Sequence, residues 1–141
     1  MSCRYTKNEA MKRIPVIIGI ALIGLMLSAF SWANGIDEIK RALQKGDVSL
    51  LSKYIGENVE IEIDGHADYY TKAEAIAKLK AFFAGNQVTG FTQAHQGSTK
   101  DSSAKFVIGH LMTQSGKYRV YLLTKIKNNR PVIRELNFSK E

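Results

Sequence analysis

Asp64, His66 and Asp68 recur at every second residue in "IEIDGHADYY", a spacing at which side chains could do chemistry. In an unbroken strand such residues share a face, and two carboxylates with an imidazole could hold a metal ion. Gly65 interrupts that strand, however, and Asp-Gly is a preferred hairpin turn. Three such ligands without a fourth also make a poor zinc site. The stretch therefore reads as a hairpin tip with no metal. Strand parity separates Tyr69 from Tyr70, one packing on the following helix and one facing solvent or a pocket mouth; Tyr70 is the pocket candidate.

Two further histidines lie in alternating segments. In "GFTQAHQG", Phe91, Gln93 and His95 fall on one face, so an inward Phe91 brings His95 inward as well. An imidazole with its ordinary pKa of about 6.5 could serve there as a base. The competing reading is a strand-end histidine bonded to a loop carbonyl, since Gly97 follows at once. In "KFVIGHLMT", Phe106, Ile108, His110 and Met112 share one face, and Val107, Gly109, Leu111 and Thr113 the other. Both faces are largely apolar, which predicts a strand covered on both sides. Helices cover one side, and a second subunit is the natural cover for the other, which makes His110 an interface or packed histidine rather than a ligand. In "KYRVYLLTKIK", Tyr118 points the opposite way from Arg119 and Tyr121. Arg119 beside Tyr121 is either an anion clamp or an arginine whose stem covers a tyrosine at an interface; the interface reading is preferred. In the last segment Val132, Arg134, Leu136 and Phe138 alternate with Ile133, Glu135 and Asn137. A cross-strand pair of Glu135 with Arg119 or Lys125 would be worth under about 1 kcal/mol.

No complete catalytic set emerges. The chain has neither a glycine-rich phosphate loop nor a nucleophile elbow. Its one cysteine, Cys3, precludes a disulfide or a cysteine nucleophile in residues 34–141. No pattern asks for a cofactor.

The elements that must position these residues follow from periodicity. Ile36, Ile39, Ala42 and Leu43 form one helical stripe that Asn34 could cap, and Gly46 suits its end. Asp47 caps a second short helix, "VSLLSKYI", closed by Gly56. "NVEIEID" alternates strictly as a half-buried strand, and "HADYY" returns from the turn. Thr71 and Glu74 form a capping box for "TKAEAIAKLKAFFAG", whose apolar face includes Ile76, Leu79, Phe82 and Phe83. Then come four strands, roughly Val88–Gln96, Ala104–Thr113, Tyr118–Lys127 and Pro131–Ser139, joined by short turns into an antiparallel meander. The layout is α+β, with helices packed on one face of a curved sheet. Residues 34–141 read as a single domain, with Phe83 and Tyr118 expected to line a pocket between the long helix and the sheet.

The front of the 141-residue chain reads differently. Lys12 and Arg13 precede an apolar run from Val16 to Leu27, and Ser31 and Ala33 follow as small residues. That is the layout of a signal peptide cleaved after Ala33, with Met11 as an alternative start. An uncleaved anchor is the rival reading, and would be the domain's one tie to a membrane. Either way the C-terminal domain is exported, to the periplasm or beyond. The formal charge of +7 includes four cations against one glutamate in residues 1–33. The remaining excess is too dispersed for a nucleic-acid surface.

The segments "YYTKAEAIAKLKAFF", "FTQAHQG", "VIGHLMT" and "GKYRVYLL" resemble an exported bacterial family known as domain of unknown function 4783, over about residues 36–139. The order of elements resembles the nuclear-transport-factor-2-like superfamily, with its cone-shaped, cystatin-like α+β fold. That resemblance implies a pocket between the long helix and the concave sheet face. In the superfamily's isomerases and dehydratases the pocket carries Asp, His and Tyr as acid–base groups; many other members have no chemistry. Three functions stay open. The preferred one is an exported, non-enzymatic module that binds a small apolar or amphipathic ligand or a protein partner, as a homodimer. The second is an acid–base enzyme using His95, Tyr70 or Tyr118. The third is a membrane-tethered accessory protein.

Overall fold

Alternation in the C-terminal half and helical stripes in the N-terminal half build two layers. The computed structural model describes residues 34–141; the leader reading of residues 1–33, with its cleavage site, lies outside them. Helix α1 (residues 34–45) buries Ile36, Ile39, Ala42 and Leu43, the stripe its spacing predicts. Gly46 ends it in the left-handed conformation at φ 64°, and the Asp47 amide donates back to the Ala42 carbonyl at 2.9 Å. The Asp47 side chain then accepts from the Leu50 amide at 3.0 Å and starts α2 (Val48–Ser52). This helix is shorter than its sequence suggests: Ile55 and Gly56 already belong to strand β1 (Ile55–Ile63). Strand β2 (His66–Thr71) returns through Asp64 and Gly65, both at positive φ, as the Asp-Gly turn requires. Helix α3 (Lys72–Gly85) opens with the full reciprocal capping box between Thr71 and Glu74.

Strands β3 (Val88–Ser98), β4 (Ala104–Thr113), β5 (Gly116–Lys127) and β6 (Arg130–Lys140) form the expected meander. The six-stranded sheet runs β2-β1-β6-β5-β4-β3. All pairs are antiparallel except β1 with β6. The parallel pair closes the fold: it brings the N-terminal hairpin beside the last strand, so that α3, which follows β2, lies across the inner sheet face. One core cluster joins the three helices to Val59 and Ile61 of β1, Val107 and Leu111 of β4, Val120 and Leu122 of β5, and Ile133, Leu136 and Phe138 of β6. Thr124 is buried among them and satisfied, its hydroxyl donating to the Lys105 carbonyl at 3.1 Å.

Bulges change two of the expected faces. Glu135 pairs with Leu123 but Ile133 pairs with Thr124, so Arg134 is an extra residue in β6. Strict alternation would put Val132 and Arg134 with Leu136 and Phe138. The bulge instead puts Ile133 inward with them and leaves Arg134 exposed.

Candidate functional site

Beneath the last turn of α3, where a cone-shaped fold would hold a pocket, the inner face is filled with aromatic side chains; a solvent-open cleft of about 340 Å³ remains between α1 and Phe91 and Gln93 of β3. Phe82 and Phe83 come from the last turn of α3, which ends with its apolar side on the sheet. The Phe82 ring lies 4.4 Å from Phe138 and edge-on to Tyr118 at 5.3 Å; Phe83 meets Phe138 edge-on at 6.0 Å. Offset and edge-on arrangements of this kind are the ones aromatic rings prefer. The Tyr118 hydroxyl donates to Asn86 Oδ1 at 3.0 Å, and Asn86 Nδ2 caps α3 by donating to the Phe82 carbonyl at 2.9 Å. Phe83 and Tyr118, expected at a pocket, are thus brought together as core. Phe91 reaches inward over Gly109, where an added Cβ would fall 2.5 Å from the ring.

Tyr70 is half-buried and lies at the sheet edge. With His66, Asp68 and Lys78 it lines a solvent-open cleft of about 590 Å³ between β2 and α3. Asp64 does not converge on these residues. Its carboxylate accepts from the Lys140 amide at 2.8 Å, tying the turn to the end of β6. Among the described residues no three His, Cys, Asp or Glu side chains gather as a metal site.

His95 corrects the parity argument. Gln93 pairs with Gly109, but His95 pairs with Ile108, so Ala94 is an extra residue and the face inverts after it. Phe91 and Gln93 point inward, as alternation predicts; His95 points out, away from Tyr70 and Tyr118.

The outer face is where the remaining candidates meet. Register lines up Glu62, Asn137, Tyr121, Ile108 and His95 in one row across the sheet. The neighbouring row is Tyr69, Glu60, Glu135, Leu123, Phe106 and Gly97. The Phe106 ring stacks 6.4 Å from Tyr121 and 6.1 Å from His95, and covers Gly97 so closely that a Cβ there would fall 2.5 Å away. Phe106, Ile108, Tyr121 and Leu123 are each only half-buried. Tyr69, 73% exposed, and Met112, 42% exposed, stand on the same face. Burial, and after it the charge of Glu135, raises the Tyr121 phenol pKa. The hydrogen bond that the Tyr69 hydroxyl donates to Glu60, followed by the Glu60 charge, does the same for Tyr69.

Charge divides this face. Glu60, Glu62 and Glu135 cluster on the β1–β6 side, with Arg134 of the bulge near Tyr69. Arg119 and His110 pair across β5 and β4 on the other side. His110 Nδ1 lies 3.1 Å from the Glu141 carboxylate, which Lys117 also holds at 2.8 Å; Lys117 foremost lowers the Glu141 pKa. Glu135 takes neither Arg119 nor Lys125. It accepts from Asn137 Nδ2 at 2.9 Å, and the other amide atom, Asn137 Oδ1, is buried without a partner among the described residues. His110, Arg119 and Tyr121 therefore share one surface, as the sequence suggests. Asn86, which holds Tyr118, follows from no sequence pattern beyond its place after Gly85.

Comparison with known proteins agrees with this geometry. Solved structures of DUF4783 family proteins from Bacteroides ovatus and Bacteroides uniformis are 34% and 30% identical to the chain, each with a TM-score of 0.70. Each match covers 74% of this chain, and 93% and 95% of the respective relative. More distant likeness, at 12% identity and a TM-score of 0.58, links it to an NTF2-like protein from Cytophaga hutchinsonii, over 77% of this chain and 94% of that one. No curated protein matches. The model of the family called domain of unknown function (DUF4783) matches residues 36–139. On that match and those relatives, the chain belongs to the DUF4783 family, on an NTF2-like α+β fold.

Proposed function

We propose that the protein is an exported, non-enzymatic interaction module that binds a second copy of itself through the outer sheet face. The observation that carries this reading is the contrast in filling. Aromatic side chains fill the inner face under α3, while Phe106, Ile108, Tyr121 and Leu123 lie half-covered on the outer one. Apolar surface of this kind gains about 25 cal/mol for each Å² removed from water. A two-fold axis through the Tyr121 region would set the Glu60, Glu62 and Glu135 side of one copy against the Arg119 and His110 side of the other, as an isologous interface requires. The acid–base alternative loses support from the same geometry. His95 is outside, Tyr118 is committed to Asn86, and Tyr70 opens on a separate cleft. Export rests on the leader-like pattern of residues 12–33.

Light scattering across a concentration series tests the pairing. The expected result is a mass twice that of the chain, falling to one chain in Tyr121→Lys with its circular dichroism unchanged. A wild-type protein that stays monomeric to about 1 mM, the range of negligible affinity, overturns it.

A further inference from the structure

A second surface, at one end of the sheet, points to a different partner. Here β5 turns into β6 through Asn128 and Asn129, both at positive φ, and β1 begins beside β6. Lys53, Lys127 and Arg130 line a groove of about 170 Å³ with Asn128, Pro131 and Val132. All three cations are exposed, and none has an ion-pair partner among the described residues. The Arg130 guanidinium lies 5.9 Å from the centre of the Tyr54 ring, which fixes its direction. Lys125 and Lys100 belong to the same end, since Lys125 pairs with Ala104 where β4 begins. Carboxylates there are fewer and partly engaged. Asp101 is bonded within its own loop by Thr99 and Ser103, and Glu38 takes the Tyr54 hydroxyl; Glu57 is exposed.

The chain enters the fold at this same end. Gly35 packs against Pro131, so tightly that a Cβ would fall 2.5 Å from the proline ring. In the sequence, six residues separate the apolar run ending at Leu27 from Asn34. Six residues reach at most about 20 Å. An apolar segment seated in a bilayer would therefore hold the basic end, rather than either sheet face, against the headgroups.

We infer that the Lys53–Lys127–Arg130 end is a docking surface for an anionic phospholipid membrane. It lies away from the outer-face centre at Tyr121, so membrane contact and pairing are independent. Each cation close to an anionic bilayer strengthens association about fivefold, in a salt-dependent way.

Amine footprinting of the full chain, as purified from expressing cells, tests this whether or not residues 1–33 are retained. The chain is mixed with phosphatidylcholine vesicles, with vesicles containing about one-third phosphatidylglycerol, or with soluble polyphosphate, and acetylation is read by mass spectrometry. The expected result is at least about fivefold protection of Lys53 and Lys127 by the anionic vesicles alone, lost at high salt. Lys78 and Lys80 of α3 should label equally throughout. Arg130→Gln should lower the salt concentration at which protection is lost, with an unchanged melting temperature. Equal labelling on the two vesicle types, equal protection of the α3 lysines, or protection by polyphosphate without protection by vesicles would each overturn the inference.

Discussion

The two faces of the sheet share the same strands and turns yet end in different states. On the inner face Val107, Leu111, Val120, Leu122, Leu136 and Phe138 are sealed under three helices. One residue along each strand, Phe106, Ile108, Tyr121 and Leu123 stay half-covered beside Glu60, Glu62, Glu135 and Arg119. A core face is chosen for complete burial. An outer face with stacked aromatics and divided charge has the make-up of an interaction surface, which is what the proposed pairing uses. Equivalent damage on the two faces must therefore have different consequences.

The largest effect is expected inside. Phe138 is fully buried and touches both Phe82 and Phe83. Phe138→Ala should cost about 3–5 kcal/mol, enough to unfold much of a marginal domain, read by denaturant titration. Tyr121→Ala on the outer face should cost the single chain under about 1 kcal/mol and act instead on association. Equal losses of stability from the two would erase the distinction between the faces.

Gly109→Ala probes the inner face by addition. A Cβ there would meet the Phe91 ring at 2.5 Å and the Thr92 carbonyl oxygen at 2.7 Å. The ring can turn aside, but the backbone oxygen cannot without disturbing the β3–β4 ladder, so a loss of about 1–3 kcal/mol is expected. The contrasting change is Gly90→Ala, where a Cβ meets nothing within 4 Å. It should be close to neutral, and calorimetry of the pair reads the difference.

Much of this architecture is legible in the sequence because local chemistry decides it. Thr71 and Glu74 announce α3, Asp64-Gly65 announces the hairpin, and alternation from Ala104 to Lys127 gives both faces of β4 and β5. Thr71→Ala tests that legibility: breaking the capping box should cost about 1 kcal/mol, read as a fall in melting temperature. What alternation misses is set by tertiary pairing. Ala94 and Arg134 look like ordinary strand residues, yet each is the extra residue of a bulge and inverts everything on one side of it. The grouping of His95 with Phe91 and Gln93 on one face fails for this reason alone. The parallel pairing of β1 with β6 has no local signature either, because it joins segments some 75 residues apart, as the Asp64–Lys140 bond shows. Nor can periodicity reveal that the space under the end of α3 is filled, since filling depends on how Phe82, Phe83 and Phe138 meet after folding.

The smallest effect belongs to neither face, and so measures the background against which both are judged. Asp101 sits in the loop between β3 and β4, where its carboxylate accepts from the Thr99 hydroxyl at 2.6 Å and from the Ser103 amide and hydroxyl at 3.1 and 2.8 Å. These bonds, Thr99 first, lower its pKa from 3.8 to about 2. The folded value lies below the unfolded one, so the contribution is fully present above pH 3.8 and is lost as the pH falls toward 2. The group is exposed, and the loss should be local: faster amide exchange at Ser103 and Ala104 in that window, with β4 and β5 protected as before. Asp101→Asn should show the fast exchange already at neutral pH and no added change on acidification. Slowing or speeding of exchange at Phe106 or Tyr121 in the same variant would mean that the loop and the outer face open together, and the half-covered surface would then be a product of local looseness rather than a built interface.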